Sequence, residues 1–326
     1  MPSSATLNVE VRNSARAPHR LSLFALGAAM MIAACQSASS GAAPSAQSAQ
    51  FPVTIQEAGG ATVTIEKQPR RIISLSPTAT EMLYAIGAGS QVVAVDEQSN
   101  YPAGVPTTKL SGFTPNIEAI AAYTPDLVVA ADDTAGLVHG LDALKIPILI
   151  QGAAKNLDDS YVQIKQLGVA TGRVVEAGSL EKTMRSEIGA VIATVPRPAK
   201  QLTVYHELDD TYYSATSNTF IGQVYALLGL KNIADGAAAK APDYPQLSVE
   251  YIVSSNPDLI VLADTKCCHQ NANTVGARPG WSSIAAVRGG QVINADDDVS
   301  SRWGPRVVDF LRLIAPHVRA LELLTQ

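Results

Sequence analysis

The sequence predicts an α/β protein of two similar lobes, each built on a central, mostly parallel sheet covered by helices, with a single long helix joining them. Three observations carry this reading. A thirteen-residue pattern occurs twice, 132 positions apart: Glu118-Ala119-Ile120 leads to Pro125-Asp126-Leu127 and Val128–Ala130, and Glu250-Tyr251-Ile252 leads to Pro257-Asp258-Leu259 and Ile260–Leu262. In each copy an apolar residue at Glu−1 (Ile117, Val249) and an Ile at Glu+2 mark the buried side of a short helix; Pro-Asp stops it and an apolar strand follows. Strand-length apolar runs alternate with helical patterns in both halves, as in parallel sheets covered on both faces. Between the halves, Arg173–Val195 runs twenty-three residues without proline, with apolar residues at helical spacing (177, 180, 184, 188, 191, 192 and 195).

The elements follow in order. Residues 53–65 alternate around Gly59-Gly60 and predict an opening hairpin. Ile72–Leu75 is a buried strand, after which Ser76-Pro77 supplies an N-cap and a proline at the first helical position. That helix closes at Gly87. Val92–Val95, Leu127–Ala130 and Ile148–Ile150 are further strands, with helices over 116–122 and 135–145. Leu157–Thr171 is a helix closed by Gly172; the joining helix ends at Pro196 and Pro198. Beyond it come a strand at Leu202–Tyr205, a helix over 219–228, the second Glu-to-strand copy, a strand at Val292–Asn294, and a final helix from Pro305 to about Leu324. The organisation is therefore a leader (1–35), a tether (36–50), an N-terminal lobe (51–172), the joining helix (173–195) and a C-terminal lobe (196–326). One stiff rod between lobes predicts modest rocking rather than wide closure.

Arg12, Arg16 and Arg20 precede an apolar stretch, Leu21–Ala34, that is too short to span a bilayer and has the basic flank of a secretory signal. It ends Ile32-Ala33-Ala34-Cys35, the pattern of a lipobox whose cysteine is acylated; ordinary cleavage near Ala34 is the alternative. Residues 36–50 are small and uncharged and cannot pack, which suits a flexible tether. The mature chain is then expected in the cell envelope, held by lipid on the outer side of the cytoplasmic membrane. With a net charge of −5 and no Lys/Arg cluster after the leader, nucleic acid is excluded as a partner. A monomer is expected.

Open parallel sheets bind ligands beyond the carboxyl ends of their strands. That rule selects the loops at 76–77, 96–101, 131–134 and 151–152 in the first lobe, joined by Phe113, and 206–213, 264–269 and 296–303 in the second. These loops hold Tyr101, Phe113, His206, Tyr212, Tyr213, His269, Arg302 and Trp303, in a chain with only two Trp and five Phe. As a group they predict a cleft that sandwiches a flat ligand. The same loops carry Asp132, Asp133, Asp209, Asp210, Asp264, Asp296, Asp297 and Asp298 against Lys266 and Arg302, which favours a neutral or cationic ligand unless those carboxylates serve as helix caps.

Cys267-Cys268-His269 is a weak metal site, because the residues are adjacent and no second Cys or His pair stands at ligand spacing; no metal site is assigned. In an oxidising compartment the two thiols can close a vicinal disulfide at the cleft rim. No Gly-x-Ser-x-Gly, Gly-x-Gly-x-x-Gly, Walker or His-Glu-x-x-His pattern is present, so an enzyme is not expected. The competing reading is a secreted metal or thiol enzyme built on Cys267, Cys268 and His269.

Arg71-Ile72-Ile73-Ser74-Leu75-Ser76-Pro77 with Glu81, the Tyr101-Pro102 loop, both Glu-to-Pro-Asp-Leu segments, the joining helix, and Arg302 to Arg306 together resemble one family. It is that of the substrate-binding lipoproteins of ABC importers for cobalamin, ferric siderophores and haem, and the resemblance covers residues 53–322. It implies the class III periplasmic-binding-protein architecture and no cofactor of the protein's own. It implies that Glu118 and Glu250, one per lobe, meet basic residues on a permease dimer, and that Tyr101, Phe113, Tyr244, the 206–213 loop and Arg302 contact the ligand. Cobalamin binders of this family often carry Trp in the loops before the Glu helices, where this chain has Phe113 and Tyr244. A corrinoid is the favoured ligand, a ferric siderophore second, and haem third, with Tyr101, Tyr212, Tyr213 or His206 as axial donors.

Overall fold

A computed structural model describes residues 49–196, 200–238 and 241–323. Cys35, the leader and all but the last two residues of the tether lie outside the described residues. The first half comprises the hairpin β1 (Val53–Gln56) and β2 (Thr62–Ile65), then β3 (Ile72–Leu75), α1 (Pro77–Ala85), β4 (Val92–Val95), α2 (Ile117–Ala121), β5 (Leu127–Ala130), α3 (Leu137–Ala143) and β6 (Ile148–Ile150). Two helices follow, α4 (Leu157–Thr171) and α5 (Val174–Ala193). The second half holds β7 (Thr203–Glu207), α6 (Phe220–Leu227), β8 (Lys231–Asn232), α7 (Val249–Ser255), β9 (Leu259–Leu262), α8 (Ala272–Gly276), α9 (Ala285–Arg288), β10 (Val292–Asn294), α10 (Asp297–Ser301) and α11 (Val307–Leu323).

Each half forms a four-stranded parallel sheet, in the orders β4-β3-β5-β6 and β8-β7-β9-β10. These are one topology used twice. The register repeats with the sequence pattern: Ile72 pairs Leu127 and, 132 positions on, Val204 pairs Leu259. The aspartates of the two Pro-Asp-Leu segments do the same work. Asp126 accepts the Arg70 and Arg71 N–H groups at 2.9 Å, while Asp258 accepts the Thr203 N–H and hydroxyl at 2.9 Å. Each carboxylate thus anchors the start of the strand beside its own. The helices are capped as their sequences specify: Ser76 accepts from Ala79 N, Asn156 from Asp159 N, and Gly172 closes α4 at φ 75°.

Alternate strand residues go to opposite sides, and both sides are buried. In β5, Val128 and Ala130 pack outward with Ile120, Leu137 and Leu141. In β9, Ile260 and Leu262 pack outward with Ile252 and Trp281. The inward residues Leu127, Val129, Leu259 and Val261 belong to one apolar cluster that runs through α1, α4, α5, α6 and α11. The single long joining helix is present as α5, but it does not stand alone. α5 lies along α4 and also packs on α11, so it is backed by a layer of helices with a core common to both lobes. It ends at Ala193 rather than residue 195, since the approach to Pro196 excludes helical geometry.

Asp258 is mostly buried whereas Asp126 is exposed, so the two anchors should not weigh equally. Asp258→Ala is expected to lower unfolding free energy by about 1–3 kcal/mol and Asp126→Ala by about 1 kcal/mol or less, measured by urea denaturation. Equal losses, or none at Asp258, would contradict the anchoring role.

Candidate functional cleft

The loops at the carboxyl ends of the two sheets meet along two edges. At the edge formed by β4 and β10 they are tied by a polar cluster. Asn100 Nδ2 donates to Asp298 Oδ2 at 2.9 Å, and Arg302 donates to Asn100 Oδ1 at 3.1 Å and to the Gln98 carbonyl at 3.0 Å. Arg302 also pairs with Asp298 (2.6 Å) and with Glu81 of α1 (2.8 Å). Arg306 reaches the same Glu81 carboxylate at 2.9 and 2.5 Å and stacks its guanidinium 4.2 Å above the Tyr101 ring.

At the opposite edge the halves stand apart. A cavity of about 660 Å³ lies between Ala153, Ala154, Lys155 and Asn156 after β6 and Ser217, Asn218, Thr219, Phe220, Gln223, Asp243 and Tyr244 of the second half. That volume lies in the range of small-molecule sites. Its second wall is braced from behind: Asp235 accepts the Ser217 N–H and hydroxyl at 2.8 and 2.7 Å, and Thr216 and Asn218 donate to the Pro242 carbonyl. The starts of α4 (Asn156) and α6 (Thr219, Phe220) line this cavity, and its charges are one Lys and one Asp. Sequence reasoning found Tyr244 and the turn after β6 but missed Lys155, Asn156 and residues 217–219. The signal was present in the cap residues Asn156 and Thr219, which place helix starts at the cleft side of each sheet.

Of the residues expected to contact a ligand, Tyr101, Phe113, Tyr213 and Tyr244 present their rings to solvent. They are all of the exposed aromatics among the described residues, and Phe113, at 76% exposure, is the extreme. Phe113 is held out by its neighbour. A Cβ on Gly112 would meet the Leu75 carbonyl oxygen at 2.5 Å, so the chain crosses the end of β3 only as glycine. Tyr213 and Tyr244 sit on adjacent segments joined by the Tyr213–Gln246 bridge and by Ser214 N–H donating to the Pro245 carbonyl at 3.0 Å.

His269 is exposed on the loop after β9 at φ 55°, and the remaining four are placed differently. His206 is fully buried because β7 runs to Glu207 rather than stopping at Tyr205; its Nδ1 lies 2.6 Å from the Tyr225 hydroxyl and its ring abuts Phe310. Burial pushes its pKa down to about 3. It is a core residue, not a cleft contact or an axial donor. Tyr212 turns inward at φ 69°, tilted on Trp281 with Arg278 5.3 Å from its ring. Arg302 has a side chain only 9% exposed, with its donors spent on Glu81, Asp298, Asn100 and Gln98. Trp303 donates its indole N–H to Gln163 Oε1 at 2.7 Å and accepts from Ser160 at its carbonyl. Arg302 and Trp303 therefore fasten the lobes together.

The loop carboxylates are also largely committed. Asp133 accepts from Val138 N, Asp209 from Thr211, and Asp296 caps α10, while Asp297 accepts from Thr265, Lys266 N and Cys267 N. They act as caps and turn anchors, the alternative the sequence left open. Asp264 is placed differently. It is buried beside Glu207, which Arg278 holds by two bonds of 2.6 and 2.7 Å, and burial followed by the Glu207 charge raises its pKa to about 8. Cys267 and Cys268 are free thiols with sulfurs 2.7 Å apart, and no group of three His, Cys, Asp or Glu side chains among the described residues could hold a metal ion.

Glu118 and Glu250 occupy the second helical position of α2 and α7, behind the caps Asn116 and Ser248. Both are exposed, and neither forms an ion pair with a described residue. In a strand-helix-strand unit the helix starts on the side where the strands end, so both carboxylates stand on the crevice side of their lobes.

Two parallel-sheet lobes with a crevice between their strand ends define a solute-binding protein. The chain belongs to the periplasmic binding protein family, which it matches over residues 72–299. It is 32% identical over 279 residues to an uncharacterized ABC transporter substrate-binding lipoprotein of Bacillus subtilis, covering 82% of this chain and 86% of that one. It is likewise 32% identical over 269 residues to a cobalamin-binding protein of Halobacterium salinarum, covering 79% of this chain and 72% of that one. Among solved structures, the periplasmic vitamin B12 binding protein of Vibrio cholerae superposes with a TM-score of 0.66 at 26% identity, over 78% of this chain and 98% of that one.

Asp264 gives the fold a pH dependence. A carboxyl whose pKa is raised on folding contributes stability that is complete below the unfolded value of about 3.9 and is lost as pH rises through its folded value. Wild-type stability should thus fall between about pH 4 and 8, and Asp264→Asn should flatten that limb in thermal unfolding followed by circular dichroism. An unchanged slope would show that Asp264 is charged in the folded protein.

Proposed function

We propose that this chain is the extracytoplasmic receptor of an ABC importer, anchored through lipid at Cys35, that captures a bulky chelate between its lobes and delivers it to a permease dimer. A corrinoid is the favoured cargo. The observation that carries the reading is the interlobe cavity walled by Tyr244, with Tyr101, Phe113 and Tyr213 exposed on the loops around the crevice. Exposed rings cost solvation in the free protein and gain contact when a large flat ligand covers them. The cavity's balance of Lys155 against Asp243 suits a ligand of low net charge better than a polyanion, which would call for several Arg or Lys donors. The names of the cobalamin-binding and vitamin B12 binding relatives point the same way. Glu118 and Glu250, at matched positions 132 residues apart, are the proposed docking points for a two-fold permease.

The test is equilibrium dialysis of the full chain against cyanocobalamin, haemin and ferric siderophores, read by the absorbance of each ligand. Cyanocobalamin is expected to be retained, and Phe113→Ala and Tyr244→Ala are each expected to weaken it about threefold to tenfold, the range for one aromatic contact. Retention of haemin or a ferric siderophore instead would reassign the cargo and keep the receptor. Retention of none would overturn it. Glu118→Lys with Glu250→Lys should abolish ligand uptake into cells and leave dialysis affinity unchanged; unaffected uptake would remove the docking role.

A further inference from the structure

Cys267 and Cys268 lie on the loop after β9, and that loop is wired to the contacts between the lobes. The carboxylate of Asp297 gathers its backbone, accepting the Lys266 N–H at 3.0 Å, the Cys267 N–H at 3.0 Å and the Thr265 hydroxyl at 2.9 Å. The Cys268 N–H donates to the Asp264 carbonyl at 3.2 Å. Lys266 carries the connection outward: its ammonium sits 2.7 Å from Asp296 and 2.8 Å from Asp298. Asp298 is the carboxylate that receives Asn100 of the first lobe and pairs with Arg302, which in turn reaches Glu81. Only Lys266, Asp298 and Asn100 thus intervene between the cysteine loop and the Tyr101 loop of the opposite lobe.

We propose that Cys267 and Cys268 are a reversible dithiol–disulfide modification site whose closure loosens the Lys266–Asp298–Asn100 link between the lobes. The pair is accessible, since Cys267 is exposed and Cys268 half-exposed, and the sulfurs already touch. The reaction partner is a disulfide donor, small or protein-borne. The Cys268 sulfur attacks one donor sulfur and releases the other as a thiolate. The Cys267 sulfur then attacks the Cys268 sulfur of the mixed disulfide and releases the second donor thiolate. The protein dithiol loses two electrons and two protons, and the donor disulfide takes both up as two thiols.

The coupling follows from geometry. Neighbouring Cα atoms across a trans peptide are about 3.8 Å apart, less than the roughly 4.4–6.8 Å that disulfides usually span. That separation is fixed by the peptide itself, so bringing the sulfurs from 2.7 Å to the roughly 2.05 Å of a disulfide must be met by rotating the backbone torsions on either side of it, which turns the peptide. That peptide continues directly from the Lys266 and Cys267 N–H groups fixed on Asp297, and turning it moves Lys266 against Asp296 and Asp298.

The full chain is equilibrated in a glutathione redox series, and the peptide carrying residues 267 and 268 is followed by mass spectrometry. It should lose two hydrogens with no lasting glutathione adduct, and dithiothreitol should restore it. Cys267→Ser should trap the glutathione adduct on Cys268, because the resolving thiol is gone. Hydrogen exchange of the amides at 97–100 should become about two- to fivefold faster on oxidation, the weight of an exposed ion pair, and Lys266→Gln should show the faster rate in both redox states. A wild-type pair that stays reduced, or that keeps an adduct, overturns the modification site. Closure with unchanged exchange at 97–100 overturns the coupling. Neither outcome depends on which ligand the cleft takes.

Discussion

One carboxylate holds the two lobes in register. Glu81, on the buried face of α1, is about 1% exposed and receives the guanidinium groups of both Arg302 and Arg306 from the segment that leads into the last helix. A lone carboxylate in that position would be prohibitively desolvated, and two buried guanidinium groups without it hardly less so. Breaking such an arrangement by removing one member costs about 3–5 kcal/mol, a large share of a domain's net stability. The pairing therefore dictates where the chain after β10 must lie. Once Arg306 is committed to Glu81, its planar face is free to carry the Tyr101 ring. Once Arg302 is committed, Asp298 and Asn100 find their places around it. A salt bridge inside the fold thus determines the geometry of a loop at the cleft.

The duplication explains why the cleft has two unlike edges. Both sheets use the same strand order and the same register, and the same Asp anchors the same neighbouring strand. Such a pair of lobes offers two equivalent edges where strand ends can meet. At one, the cluster around Glu81 and Arg302 draws the loops of β4 and β10 together. At the other, small residues (Ala153, Ala154, Ser217) face one another and leave about 660 Å³ between them. Symmetry supplies the frame, and charge on one side with small side chains on the other decides which edge closes.

The elements of the fold were legible because their signals are local. Ser76 marked the start of α1 and Gly172 the end of α4, and the repeated Glu-to-strand pattern located α2, α7, β5 and β9. The strand-end rule also located Tyr101 and Tyr213, since it needs only the strands; Phe113 joined them from the loop into the first Glu helix, and Tyr244 came from the family resemblance. It failed where a residue's fate depends on a distant partner. His206 is buried because β7 runs two residues past the end its apolar pattern indicates, so strand alternation turns it toward Tyr225 and Phe310. Arg302 looked like a donor for a ligand because nothing in the sequence shows that Glu81, 221 positions earlier, claims it. The aspartates looked like an acidic cleft because capping by Asp296 and Asp297 depends on loops folding back on themselves.

The shared core bears on how such a molecule could take up and give up a guest. Leu127 and Leu259, on the inner faces of the two sheets, belong to one apolar cluster that includes α4, α5 and α11. Wide opening would expose that cluster to water at about 25 cal/mol for each Å² of apolar surface, so large excursions are costly and the crevice is largely formed before a ligand arrives. A preformed crevice loses little conformational entropy on binding, which favours retention. It also leaves little internal drive for release. Motion must then concentrate in the more exposed contacts of Asn100, Asp298 and Lys266, rather than in the helix layer or the buried pairs of Glu81. Under the proposed docking, a two-fold partner engaging Glu118 and Glu250 would act on both lobes from the crevice side. That is the direction in which strain on them is borne by those exposed contacts before it reaches Glu81 and the core.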